Sequence, residues 1–139
     1  MHMKRSEARE IAFQAIYEAG FETEKTVSEI YASAIEARGV AKTPYAEKLI
    51  ACVDEHRAFI NDRIDTYAVG WKRNRISRVS LSILTLACAE IYFFEDVPRR
   101  VSLNEAVELA KKYDDDKAYG FVNGVLNAMV HDEKAVGEE

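Results

Sequence analysis

The sequence is poor in the residues that mark disulfide frameworks, linkers and membrane spans. Only two of its 139 residues are cysteine. Cys52 and Cys88 sit far apart inside apolar helical patterns, so neither a disulfide framework nor a paired-cysteine metal site is supported, and two buried thiols in a reducing compartment are expected. Two prolines and six glycines leave no low-complexity stretch and no linker. Strand-type alternation is scarce. No run of about 20 apolar residues could span a bilayer, and no apolar leader opens the chain, so a cytoplasmic protein without a membrane association is expected. The sequence also lacks a P-loop, GxGxxG, GxSxG, HExxH and any paired Cys/His ligand spacing. An enzyme reading has nothing to rest on, and no catalytic residue, metal ligand or cofactor is expected.

What is present is the composition of an ordinary globule, 48% hydrophobic and 31% charged. The length suits one domain over residues 1–139, burying roughly two-thirds of the surface its unfolded chain exposes. The net charge of −5 is unevenly spread. Residues 21–70 are acidic, whereas residues 71–100 carry Lys72, Arg73, Arg75, Arg78, Arg99 and Arg100 against Glu90, Glu95 and Asp96. Such a chain can hold nucleic acid only on a local patch, and its acidic surface suits a basic protein partner.

Apolar spacing and end signals predict six helical segments. The first covers about 5–19, with Ala8, Ile11, Ala12, Ala15, Ile16 and Ala19 as its stripe and Gly20 at its end. Thr26 with Glu29 reads as a capping box for the second, which Gly39 closes. Thr43-Pro44 opens a third, running to Gly70 with Tyr45, Leu49, Cys52, Val53, His56, Ile60 and Tyr67 on one face. The segment 76–94 is apolar nearly all round, the pattern of a central buried helix. Ser102 with Glu105 reads as another capping box, and Asp114-Asp115-Asp116 offers an N-cap for a last helix with Phe121, Val122, Val125 and Met129 inward. The expected fold is all-α: a compact bundle of six to seven helices.

Three constellations stand out. Arg5, Arg9 and Phe13 recur at four-residue spacing and, with Lys4, form either a phosphate- and base-binding ridge or a solvated first turn beside a core phenylalanine. Lys111, Lys112, Tyr113, Lys117 and Phe121 surround a helix–helix junction near a helix N-terminus able to hold an anion, unless the aromatics belong to the core. Gly120, Asn123, Gly124 and Asn127 share one helix side, where glycine signals close approach of a neighbouring helix, RNA or a partner. Glu90, on the apolar side of the central helix, reads as a structural clamp with donors from the N-terminus of the helix opened by Ser102. His56 reads as a satisfied core histidine.

Four blocks together resemble the transcription antitermination factor NusB family over nearly the whole chain. They are Ala8-Arg9-Glu10-Ile11-Ala12-Phe13-Gln14-Ala15-Ile16-Tyr17; Trp71 with Arg75-Ile76; Ile83-Leu84 through Glu90-Ile91 to Val97-Pro98; and the pair Asn104 to Lys111 (NEAVELAK) and Phe121 to Leu126 (FVNGVL). The last two are highly specific at their separation. The resemblance implies two small helical subdomains. It implies binding of boxA-type single-stranded RNA from ribosomal RNA operons, jointly with the ribosomal protein NusE, in the RNA polymerase antitermination complex.

By position, Lys4, Arg5, Arg9, Tyr113, Lys117 and Phe121 would face RNA. Tyr17, Asn74 and Ser80 would face NusE. Glu90, Asn104, Glu105 and Gly124 would serve structure. Ser6 and Glu7 stand where relatives usually carry arginines, implying fewer phosphate contacts and a shallower salt dependence. Ser80, Leu81 and Thr85 depart from the family's charged positions on the central helix. Two alternatives from other classes remain. One is a NusB-like domain of an RNA cytosine methyltransferase, which needs a further cofactor-binding domain. The other is a homodimeric regulatory protein, favoured by exposed apolar residues such as Leu81 or Phe13.

Overall fold

The computed structural model describes residues 3–21, 24–71 and 75–138. Among them the chain forms seven α-helices: α1 (Arg5–Ala19), α2 (Val27–Arg38), α3 (Pro44–Glu55), α4 (Arg57–Tyr67), α5 (Arg78–Phe93), α6 (Arg99–Tyr113) and α7 (Asp116–Val130). Helix α5 is the hub. Ile83, Leu84, Leu86, Ala87, Cys88, Ala89 and Ile91 are buried around its whole circumference, as expected of a helix apolar on every side. It packs against α1 and α3 on one flank and α4, α6 and α7 on the other. The helices α1, α2 and α3 contact one another, as do α6 and α7, which gives two clusters sharing the central helix.

The local signals act largely as the sequence suggests. Thr26 and Glu29 form the reciprocal capping box on α2, and Gly39 closes that helix with φ 67°, a left-handed conformation that favours glycine. Pro44 occupies the first turn of α3. Asp115 caps α7 by accepting the Ala118 amide at 2.8 Å, one of the amides that a helix N-terminus leaves without an intrahelical partner.

Three expectations are corrected. The segment from Pro44 to Gly70 is not one helix. It breaks at His56 (φ −112°, ψ 26°) into α3 and α4, and the His56 ring stacks on Phe93 at 3.9 Å. The break lets α4 bring Ile60 and Ile64 into the core while packing against both α5 and α7. Ser102 does not cap α6, which begins after Pro98; its hydroxyl donates instead to Glu90 at 2.6 Å. Gly120 and Gly124 are not sites of close helix packing either, because a Cβ at each would meet no described atom within 4 Å.

Both cysteines are free and buried. Burial pushes the Cys52 thiol up to about 11 and the Cys88 thiol further up, leaving both as inert apolar groups. Among the described residues no helix is long and apolar enough to cross a membrane, and no group of three His, Cys, Asp or Glu could hold a metal ion.

Candidate nucleic-acid interface

Helix α1 carries two neighbouring charges with opposite fates. Arg9 lies on the inner side of the helix and is only 4% exposed. Its Nε donates to Glu90 at 2.7 Å and its Nη1 to Glu105 at 3.2 Å. Glu90 also accepts from Tyr45 and Ser102, each at 2.6 Å, and Glu105 accepts from Ser6. Burial works against the charge on Arg9, but Glu90 more than offsets it and the guanidinium pKa is raised. Glu90 is therefore the clamp expected of it, although its donors are side chains of α1, α3 and α6 rather than a helix N-terminus. Arg9, expected as an RNA contact, is instead an internal tie with no face toward solvent. Phe13, one turn on, is also buried.

Glu10 points the other way. Its carboxylate accepts from Lys112 Nζ at 2.7 Å and from the Tyr113 hydroxyl. These bonds, Lys112 first, hold its pKa below the usual carboxylate range. Gln14 Nε2 donates to the Tyr113 hydroxyl at 3.1 Å, and the Phe13 ring lies 4.9 Å from that of Tyr113. The opening helix and the end of α6, read separately in the sequence, thus form one continuous surface.

Most of the other expected residues are displayed at the surface. Lys4 and Lys117 are exposed and pair with no carboxylate among the described residues. Arg5 is exposed but restrained, bonded to Asp96 at 3.1 Å with its guanidinium 4.5 Å from the centre of the Tyr45 ring. Tyr113 and Phe121 are half-buried, with an accessible part left for stacking. Of the six expected RNA residues, five reach the surface and Arg9 does not.

The expected protein-facing residues are less coherent. Tyr17 is half-buried beside Phe21 at 5.2 Å and lines a groove of about 560 Å³ with Phe13, Gln14, Val40, Val79 and Tyr113. Ser80 is buried rather than displayed: its hydroxyl donates to Asp114 at 3.1 Å, as does that of Ser77 at 2.7 Å. It ties the start of α5 to the α6–α7 connection. Asn74 falls outside the described residues. Asn104 is exposed on α6, whereas Glu105 accepts from Arg9 and Ser6.

Sequence reasoning missed two exposed aromatics. Phe21 is 64% exposed with the Arg78 guanidinium 4.4 Å over its ring. Trp71 is 54% exposed and lies 4.9 Å from Phe121. Their position after helix-ending glycines was the available signal, since a loop aromatic outside any apolar stripe has no core position to occupy.

Comparison with known proteins identifies the family. The model of the NusB family matches residues 6–131. The transcription antitermination protein NusB of Bacillus subtilis (strain 168) is 42% identical over 131 residues, covering 94% of this chain and 97% of that one. The solved structure of T. maritima NusB superposes with a TM-score of 0.86 at 29% identity, covering 97% of this chain and 95% of the other. A chain from the crystal structure of antitermination factors NusB and NusE in complex with dsRNA matches with a TM-score of 0.79 at 29% identity, over 91% of this chain and 95% of that one. The chain belongs to the NusB family, a family of transcription antitermination factors rather than enzymes.

Proposed function

We propose that this protein binds boxA-type single-stranded RNA of ribosomal RNA operons together with the ribosomal protein NusE, and joins the RNA polymerase antitermination complex in the cytoplasm. The observation that carries the reading is the Glu10–Lys112–Tyr113 seam, which merges two weak basic–aromatic patches into a surface of useful size. Lys4, Arg5 and Lys117 supply phosphate contacts, and Tyr113 and Phe121 supply faces for bases. The NusB–NusE–RNA structure, whose NusB-like chain shares this fold, supports the pairing of RNA and protein partner. Because that complex holds double-stranded RNA, the strandedness bound here is itself part of the proposal.

Net charge decides the division of labour. With −5 overall and few free cations at the seam, RNA affinity in isolation is modest, and a basic ribosomal protein raises it. The groove beside Tyr17 is where NusE docks in this reading, without direct help from Ser80. Of the two residues named for the homodimer alternative, Phe13 is buried and Leu81 half-buried, while Phe21, Val69 and Trp71 are exposed.

Fluorescence anisotropy of labelled boxA-type RNA, titrated with and without NusE, tests the proposal. Tighter binding with NusE, preference over both a scrambled strand and a duplex, and weakening by Phe121→Ala are expected. No preference over scrambled RNA in the presence of NusE would refute it.

A further inference from the structure

Trp71 stands just beyond the proposed RNA surface with no structural task that explains its exposure. The indole sits after Gly70, whose φ of 83° turns the chain, and it leans against Phe121 at 4.9 Å with an interplanar angle of 51°. Between it and α7 runs a shallow groove of about 210 Å³, lined by Tyr67, Val69, Trp71, Gly120, Phe121 and Gly124 among others. No carboxylate lines it among the described residues. Exposed Lys117 lies one turn before Phe121, and exposed Arg75 lies four residues beyond Trp71.

The helix floor is open. Gly120 and Gly124 are exposed, and side chains there would meet nothing within 4 Å among the described residues. Neither has a positive φ. Glycine costs a helix about 1 kcal/mol relative to alanine at such positions, and neither packing nor backbone geometry repays it. A local rule broken without structural compensation is expected where function sets the residue.

We propose that this groove continues the RNA track, with Trp71 as a stacking platform for the nucleotide next to the one held at Phe121. The two glycines let the ribose–phosphate approach the α7 backbone. This rests on the RNA-binding reading above and extends it to a residue and a direction. Single-stranded RNA fits better than a protein segment on two grounds: the platform is aromatic, and the groove is continuous with Phe121. Stacking on an aromatic face is sequence-tolerant and needs no hydrogen-bond partners in the groove, whose side chains bring only the Tyr67 hydroxyl and the Trp71 indole N–H.

Trp71 is the only tryptophan of the chain, so its emission reports on this spot alone. The intact protein is titrated with labelled boxA-type RNA while anisotropy and tryptophan emission are followed together. Quenching is expected to saturate at the same concentration as the anisotropy change. Replacing one nucleotide of the RNA by an abasic one is expected to remove the quenching and keep binding. Trp71→Ala is expected to weaken binding about five- to one-hundred-fold, the range of one base–aromatic stack, while Trp71→Phe retains most of it. Gly124→Gln, which has room in the fold, is expected to weaken binding with helicity unchanged. Binding of the unmodified RNA without quenching, or quenching that persists with every abasic position, would overturn the platform and leave the RNA reading intact. Absence of RNA binding would overturn both. Quenching by NusE alone would assign the groove to protein instead.

Discussion

Arg9 and Glu10 are adjacent on one helix and tie it to the rest of the molecule in opposite ways. At Arg9 the charges are desolvated and every partner is fixed: two carboxylates, a tyrosine and a serine from α3, α5 and α6 converge. No buried side-chain nitrogen or oxygen lacks a partner among the described residues. At Glu10 the same kind of ion pair lies at the surface, with Lys112 exposed, where solvent screens it and holding it is worth little. The first junction builds the fold. The second can be broken without leaving a buried charge behind.

The contrast predicts large effects inside and small ones outside. Arg9→Ala leaves Glu90 buried without its cation and should lower unfolding free energy by about 3–5 kcal/mol, read as a fall in the urea midpoint. Loss of RNA binding in that variant would then report unfolding rather than a missing contact. A variant stable to within 1 kcal/mol would break the comparison.

A second buried carboxylate gives a pH test of intermediate size. Asp132 is taken below its ordinary 3.8 to about 2; burial opposes this, and Tyr92, the Lys134 amide, Tyr67 and Arg63 outweigh it. A depressed folded value means stability fully present above pH 3.8 and lost as pH falls through 2. The contribution is on the order of 2 kcal/mol. Acid titration of unfolding free energy should therefore be steeper in the native chain than in Asp132→Asn over that window. Equal slopes would remove Asp132 from the account. Smallest of all, Lys112→Ala should leave the thermal midpoint unchanged within error, and a clear drop would show the outer junction to be structural.

How much of this the sequence foretold differs from element to element. Helix α5 was legible because apolar residues on every side can only be buried, and the α2 capping box because both its partners lie three residues apart. The break at His56 was hidden. The stripe Leu49, Val53, Ile60, Ile64 keeps helical phase across it, and no glycine or proline interrupts it, so the cause is tertiary: α4 must reach both α5 and α7. Ser102 looked like a cap because nothing local reveals a carboxylate twelve positions back.

The burial of Arg9 was invisible for the same reason. Four-residue spacing shows that Arg5, Arg9 and Phe13 share a ridge, but not that the ridge descends into the core at its second member, where a partner 81 residues away awaits. Residues that meet across the molecule, Glu10 with Tyr113 and Trp71 with Phe121, leave no trace in local spacing. The resemblance to the NusB family supplied the joining of the two patches, and the side chains supplied its means.

The central claim is that α1 and the start of α7 contribute cations to one and the same RNA track. The most direct test is the dependence of log Kd on log salt for boxA-type RNA with NusE present, in the native chain, Lys4→Ala, Lys117→Ala and the double variant. Each lysine that touches a single-strand phosphate should reduce the slope by about 0.7. Each single change is expected to do so, and the double change to reduce it by about 1.4. A slope left untouched by either variant would place that lysine off the RNA and contradict the shared surface.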